Sequence, residues 1–417
     1  MILSYHIRGG NPIQGELRVS GAKNAALPIL AASIMAEGES CIYNCPDISD
    51  VQVMCDILKS LGAAAKTDGA AVTVSCSGIL QSQIPEALGT KLRASVFFMA
   101  PLLSKTGEVV LPVPGGCHIG KRPVDIHLDV MRSFGAVVRQ TDDAIVCRAE
   151  RLQGAEVALR LPSVGATENA IMAAVCAEGK SHIHNCAMEP EIVCLADYLR
   201  SCGARIKGDG SRNIHIEGVK SLQAAQISLI PDRIECGTYM SMAAATGGQL
   251  LAKGITADYL RSFTEALTAA GCSLRYYEDC ILLCKNNGLS GHIQLKTQPY
   301  PGFPTDLHPQ FAAMMCCSSG SCEIEEAMFE NRYKYIEELK KTGGNIEVSQ
   351  KKAIIKGVPK LHGAHMQAPD LRGGAALVTA ALAACGESII DNIQYIQRGY
   401  CGFDETIRSM GGDIWII

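Results

Sequence analysis

The sequence predicts an α/β protein made of α+β repeats, gathered into two domains of three repeated units each. A short segment ending in glycine recurs six times, as LKSLGA, MRSFGA, LRSCGA, LTAAGC, LKKTGG and IRSMGG. Its glycines, Gly62, Gly135, Gly203, Gly271, Gly343 and Gly411, lie 68 to 73 residues apart, a spacing that chance does not give. A second segment, rich in alanine, serine and cysteine and also ending at glycine, keeps the same rhythm: AALPILAASIMAEG, RASVFFMAPLLSKTG, NAIMAAVCAEG, TYMSMAAATGG, FAAMMCCSSG and AALVTAALAACG.

The first segment closes a helical pattern such as VQVMCDILKSLG and precedes an alternating one such as AVVRQTDDAIVCR. The unit is therefore helix, glycine stop, hairpin. The second segment forms a helix small on most faces, which suits close packing and burial all round. One unit cannot bury its helices and its sheet without neighbours, and three units per domain place six such helices inside two three-fold assemblies. An open solenoid is the alternative, but the terminal units are as apolar as the central ones and no polar capping repeat is present.

With 417 residues, 47% hydrophobic and 19% charged, the chain can bury a large core, and its length fits two or three domains. The formal net charge of −4 and the lack of a basic tract exclude a nucleic-acid stripe, so any bound anion must meet locally clustered cations. MILSYHIRGG has no cationic head before an apolar run, and no stretch reaches the ~20 apolar residues of a membrane span, so a cytoplasmic protein is expected. The 19 cysteines are odd in number and include no C-x-x-C pair. They read as buried thiols; neither a metal site nor an organic cofactor is expected, and oligomeric state is left open.

Four segments stand out as chemical. In SGAKNAALPIL, Lys23 and Asn24 open the first buried helix, where backbone amides, the helix dipole and an ammonium favour an anion. Taken alone, a lysine there is more often a solvated surface charge. PVPGGCHIGKRPVDIH is too irregular for helix or strand and long enough for a lid; within it Cys117 lies near Lys121 and Arg122, a setting that favours a reactive thiolate or holds a spectator. Arg93, Arg122, Arg233, Arg332, Arg372 and Arg398 each sit in a polar break between apolar segments. Several guanidiniums facing one cleft would bind a substrate with carboxylate and phosphate, although any one of them fits a structural role as well. In PGFPTDLHPQF, three prolines stiffen the loop presenting Asp306, whose pattern favours a cap of the following helix, a role compatible with that of a base for a substrate hydroxyl.

At these residues the sequence resembles the UDP-N-acetylglucosamine enolpyruvyl (1-carboxyvinyl) transferases over nearly its whole length. SGAKNAALPIL, PGGCHIGKRPVDIH, PSVGATEN, EPEIV, PDRIE, FPTD, FENR, DLR and RGY occur in that family's order. The family stands with 5-enolpyruvylshikimate-3-phosphate synthase, and the resemblance implies two inside-out α/β domains with the active site in the cleft between them. It divides the chain into residues 1–22 plus 231–417 and residues 23–230, the second carrying the Cys117 loop. Transfer of an enolpyruvyl group from phosphoenolpyruvate to a UDP-sugar hydroxyl, a step of peptidoglycan precursor synthesis, is the implied activity.

By that resemblance Lys23, Arg122 and Arg398 hold the phosphate of phosphoenolpyruvate, with Arg332 and Arg372 near its carboxylate. Asn24, Arg93, Arg122, Pro123, Val124, Asp125, Ile126, Ser163, Val164, Asp306 and Met328 line the UDP-sugar site. Cys117 matches a lid cysteine that acts as general acid, and Asp306 matches the base for the sugar 3-hydroxyl. The chain departs from common choices at Phe97 in place of tryptophan, at Leu161 where some members have lysine (Arg160 being the nearest cation), and at His308, Tyr395, Gln397 and Cys401.

Overall fold

A computed structural model describes residues 3–78, 80–114, 124–285 and 288–417. The chain divides into two compact units: residues up to Ser20 together with Pro231–Ile417, and the stretch from Gly21 to Ile230. The changeover lies two residues before the position that the resemblance implies, because two pairs of backbone bonds separate there. Asp232 N donates to Ser20 O at 2.7 Å within the first unit, while Ala22 N donates to Ile230 O at 2.7 Å within the second.

Each unit contains three helices of small residues, buried on nearly every face. In the 21–230 unit these are Lys23–Ala32, Met99–Thr106 and Val164–Cys176. In the other they are Arg233–Ala245, His308–Met315 and Leu371–Ala383, which pack on one another. Alanine, glycine and serine let these backbones approach, and Arg233–Ala245, His308–Met315 and Leu371–Ala383 each pack against a central strand of a sheet, Gln249–Lys253, Ser321–Glu325 and Glu387–Asp391 respectively.

The sheets share one plan, most of them four-stranded. Ser321–Glu325 runs parallel to the edge strand His292–Lys296 and antiparallel to Lys352–Lys356, which pairs with Asn345–Ser349. Alternation of buried and exposed residues along such strands, as in Lys352–Lys356, leaves one sheet face on the helices and the other in solvent.

The six repeat glycines all lie at φ between 88° and 104°, in the left-handed region where a Cβ is costly. The amide that follows bonds five residues back, as in Ala136 to Met131 O and Ala204 to Leu199 O, at 3.1 and 2.9 Å. This is the helix stop expected from the pattern.

Both units close on themselves, which excludes the open solenoid. Ser4–Arg8 lies between Glu387–Asp391 and Asp413–Ile416, antiparallel to each, so the two ends of the chain build the last sheet. Gln14–Arg18 then runs parallel to Gln249–Lys253 in the first sheet of that unit. In the other unit Gln226–Ser228 returns beside Glu39–Tyr43. No helix among the described residues is long and apolar enough to cross a membrane.

Candidate active site

In the 21–230 unit, the close approach of the chain at Gly21 sets the start of the first buried helix. A Cβ there would fall 1.6 Å from the carbonyl oxygen of Asn44. Ala22 is extended and offers no side-chain cap, so the first amides of Lys23–Ala32 are free of a side-chain acceptor at their N-cap. Lys23 is buried, and its ammonium meets Asp50 Oδ2 at 2.6 Å. It is therefore no solvated surface charge. Asp50 comes from the first turn of Ser49–Ser60 and was not singled out from the sequence, since an acid there also suits the helix dipole.

Ser163 caps Val164–Cys176, accepting from Ala166 N at 3.4 Å, so Ser163 and Val164 mark a helix N-terminus. Asp125, first residue of Asp125–Ser133, accepts from its neighbour Ile126 N at 2.9 Å and is ion-paired with Arg160. Arg160, the cation nearest Leu161, is thus committed to a carboxylate, while Leu161 stands exposed. Phe97 is half-buried, its ring edge 3.4 Å from where a Cβ on Gly165 would be, beside the buried His127. Asn24 and Arg93 are half-buried, Arg93 opening the short helix Arg93–Phe98. Cys117, Arg122 and Pro123 lie outside the described residues.

One further group in this unit escaped the sequence reading. Glu168 is buried, neither carboxyl oxygen has a hydrogen-bond partner among the described residues, and burial followed by Glu191 and Glu189 pushes it well above the usual carboxylate range. It is held as the neutral acid; a charged residue amid an alanine-rich helix was its only signal.

In the other unit three predicted residues converge. Asp306 Oδ1 receives Arg332 Nη2 at 2.6 Å, and Asp306 Oδ2 lies 3.3 Å from both Nε and Nη2 of Arg372. Both guanidiniums are nearly sealed from solvent, at 3% side-chain exposure, against 27% for the carboxylate. Arg372 Nη1 is buried with no hydrogen-bond acceptor in bonding geometry among the described residues, and the guanidinium lies 5.3 Å from the Tyr400 ring. Asp306 does not cap the helix that follows, whose N-cap Leu307 provides no side-chain bond. The cap that holds this cluster is Asp370, which accepts from the amides of Arg372 and Gly373, both at 3.0 Å, and lies 3.8 Å from Arg332.

The loop carrying Asp306 is fixed by a buried carboxylate that the sequence did not reveal. Glu326 accepts from Thr305 Oγ1 at 2.7 Å, Thr297 Oγ1 at 2.9 Å and the amides of Met328 and Phe329 at 2.7 and 3.0 Å. Met328 is thereby set in a turn with its side chain exposed. His308 lies 3.6 Å from Glu326 between the rings of Tyr333 and Tyr335, and burial, then Arg332, holds it far below the usual imidazole range. The ring stays neutral, so the two make no ion pair. Arg398 follows the short helix Ile393–Tyr395 and is half-buried two residues before Tyr400.

The thiols of the described residues are mostly quiet. Burial pushes Cys45, Cys317 and Cys322 up to about 12, and Cys55, Cys147, Cys186 and Cys194 to about 11. Among the described residues, no group of three or more histidine, cysteine or carboxylate residues is placed to hold a metal ion.

The family described as EPSP synthase (3-phosphoshikimate 1-carboxyvinyltransferase) matches residues 7–407. The chain is 41% identical over 410 residues to UDP-N-acetylglucosamine 1-carboxyvinyltransferase 2 of Caldanaerobacter subterraneus subsp. tengcongensis, covering 98% of each. It is 42% identical to UDP-N-acetylglucosamine 1-carboxyvinyltransferase 1 of Carboxydothermus hydrogenoformans, covering 98% of this chain and 97% of that one. Among solved structures, the enolpyruvyl transferase NikO from Streptomyces tendae superposes with a TM-score of 0.91 at 26% identity, covering 100% and 99%. The EPSP synthase from Acinetobacter baumannii gives 0.76 at 19% over both whole chains, a likeness of fold.

Proposed function

Because the chain belongs to the family of UDP-N-acetylglucosamine 1-carboxyvinyltransferases, we propose that it transfers the enolpyruvyl group of phosphoenolpyruvate to the 3-hydroxyl of UDP-N-acetylglucosamine, releasing phosphate. Full-length likeness to enzymes of that name supports the acceptor, and the geometry that carries the chemistry is Asp306 held between two buried guanidiniums. On this reading the reaction is the first committed step of peptidoglycan precursor synthesis, and the enzyme would work in the cytoplasm.

In this mechanism the carboxylate of phosphoenolpyruvate competes with Asp306 for Arg332 and Arg372. Once it takes their donors, Asp306 is free to accept the proton of the sugar hydroxyl. The hydroxyl oxygen bonds to C2 as Cys117 delivers a proton to C3, giving a tetrahedral phosphate ketal. The C2–phosphate oxygen bond then breaks, C3 gives up a proton, and phosphate leaves an enolpyruvyl ether. Lys23, Arg122 and Arg398 offset the phosphate charge throughout, more strongly once water is excluded.

The test is phosphate release with both substrates present, with shikimate 3-phosphate as the control acceptor. Asp306→Asn and Cys117→Ala are expected to lose about 10²-fold or more in kcat. Fosfomycin, an epoxide that mimics phosphoenolpyruvate, should add once, at Cys117, by mass spectrometry. Full activity in either variant, turnover only with shikimate 3-phosphate, or substrate binding without turnover would each refute the assignment.

A further inference from the structure

Tyr400 is a buried phenol that this mechanism does not use, and side chains from three buried helices meet around it. Its hydroxyl lies 2.9 Å from Thr238 Oγ1, on Arg233–Ala245, and 3.3 Å from Gln310 Nε2, on His308–Met315. Gln310 Nε2 also donates to Thr238 Oγ1 at 3.1 Å. On the third helix, Leu371–Ala383, the central carbon of the Arg372 guanidinium lies 5.3 Å from the centre of the Tyr400 ring. The chain comes this close because residue 399 is glycine: a Cβ there would fall 2.7 Å from a methyl of Leu371.

Counting protons fixes how these groups are turned. The single hydroxyl proton of Thr238 goes to the Ile234 carbonyl at 2.8 Å, so its oxygen can only accept from Tyr400 and Gln310. Gln310 must then present its NH2, because its carbonyl oxygen would face the Thr238 oxygen with no proton between them. The phenol is held twice, giving its proton to Thr238 and receiving one from Gln310. Thr238 and Gln310 are sealed from solvent and Tyr400 nearly so, so a tilt of the ring would leave buried donors that water cannot reach. The ring thus offers its electron-rich face to Arg372 in one orientation, while the edge of the same guanidinium meets Asp306 at 3.3 Å. A guanidinium kept in one plane presents its forked donors to a carboxylate in one geometry; a tilted one loses the pairing.

We propose that Tyr400, locked by Thr238 and Gln310, is a positioning residue that sets the plane of Arg372 for the carboxylate of phosphoenolpyruvate. This rests on the enolpyruvyl-transfer reading and adds to it a determinant of carboxylate recognition. The aromatic face acts on the guanidinium directly, and the hydroxyl acts only by holding the ring. Losing the face therefore costs more substrate affinity than losing the hydroxyl, whereas the hydroxyl matters more to stability than to substrate.

The experiment is a double-mutant cycle on kcat/KM for phosphoenolpyruvate at saturating UDP-N-acetylglucosamine, in the parent, Tyr400→Leu, Arg372→Lys and the double variant, with Tyr400→Phe alongside. Tyr400→Leu should lower kcat/KM about tenfold, chiefly through KM, and leave the KM for the UDP-sugar within about twofold. Tyr400→Phe keeps the face and should lose only about threefold, although it melts earlier because Thr238 and Gln310 lose a partner. In the Arg372→Lys background Tyr400→Leu should change kcat/KM by less than about twofold. Additive losses overturn the proposal, as does a Tyr400→Phe variant as impaired as Tyr400→Leu. Should Tyr400→Leu fail to fold, Tyr400→Met, which keeps bulk without an aromatic face, takes its place with the same expectations. If the parent releases no phosphate, the cycle is run on phosphoenolpyruvate affinity by calorimetry. Coupled losses there would sink the enzymatic assignment and leave the role of Tyr400 standing, turnover with additive losses would do the reverse, and a parent that binds no phosphoenolpyruvate overturns both.

Discussion

Lys23 sits where a cation is least welcome, at the positive end of a helix and out of water, and Asp50 at 2.6 Å is what allows it. Removing one partner of such a pair leaves a buried charge uncompensated. Asp50→Ala should cost about 3 kcal/mol in a denaturant melt and raise the KM for phosphoenolpyruvate. Lys23→Met with Asp50→Leu should regain most of that stability and no activity. If Asp50→Ala melts with the parent, the pair is not structural. Lys23, Asp306, Arg332 and Arg372 were legible because each is a charge set in an apolar or proline-stiffened context. Asp50 and Glu326 were not, because an acid in a first helical turn or before a turn looks ordinary until its neighbours fold around it. Local pattern likewise favoured a cap at Asp306, since its true partners lie 26 and 66 residues away.

At the level of elements, the six glycine stops were readable because a left-handed backbone restricts residue type. Asparagine met the same demand unnoticed. Asn44, Asn185 and Asn392 follow central strands at φ of 53°, 56° and 62°. The first two send Nδ2 to the Leu229 and Leu159 carbonyls at 3.0 and 2.8 Å, tying down the chain beside the parallel edge strands. Asparagine occurs in so many loops that three of them made no pattern. Two glycines with different reasons for being glycine should respond differently. Gly135→Ala meets open space at positive φ and should cost about 1 to 2 kcal/mol with activity kept. Gly21→Ala drives a Cβ into the Asn44 carbonyl, and should cost about 3 kcal/mol and displace Lys23. Equal melting temperatures and equal kcat/KM in the two variants would contradict this.

At the scale of the whole molecule, helix and hairpin repeats were visible from periodicity and the lack of polar caps argued against an open solenoid, but the strand that closes the last sheet was not visible, since pairing between Ser4 and Asp391 leaves no local mark. Only the resemblance tied the first residues to the end of the chain. Deleting residues 1–10 should remove the strand between Glu387–Asp391 and Asp413–Ile416 and make Pro231–Ile417 protease-sensitive, while the 21–230 unit resists. Equal resistance of both would show that the strand is dispensable. The same strand imposes an order on synthesis. The 21–230 stretch is continuous and can fold as it leaves the ribosome, but Ser4–Arg8 must wait for Glu387–Asp391. At 5 to 20 residues per second that is roughly 20 to 80 s, during which its edges lie open to strangers. Such a nascent chain is expected to need protection of those edges until Glu387–Asp391 emerges.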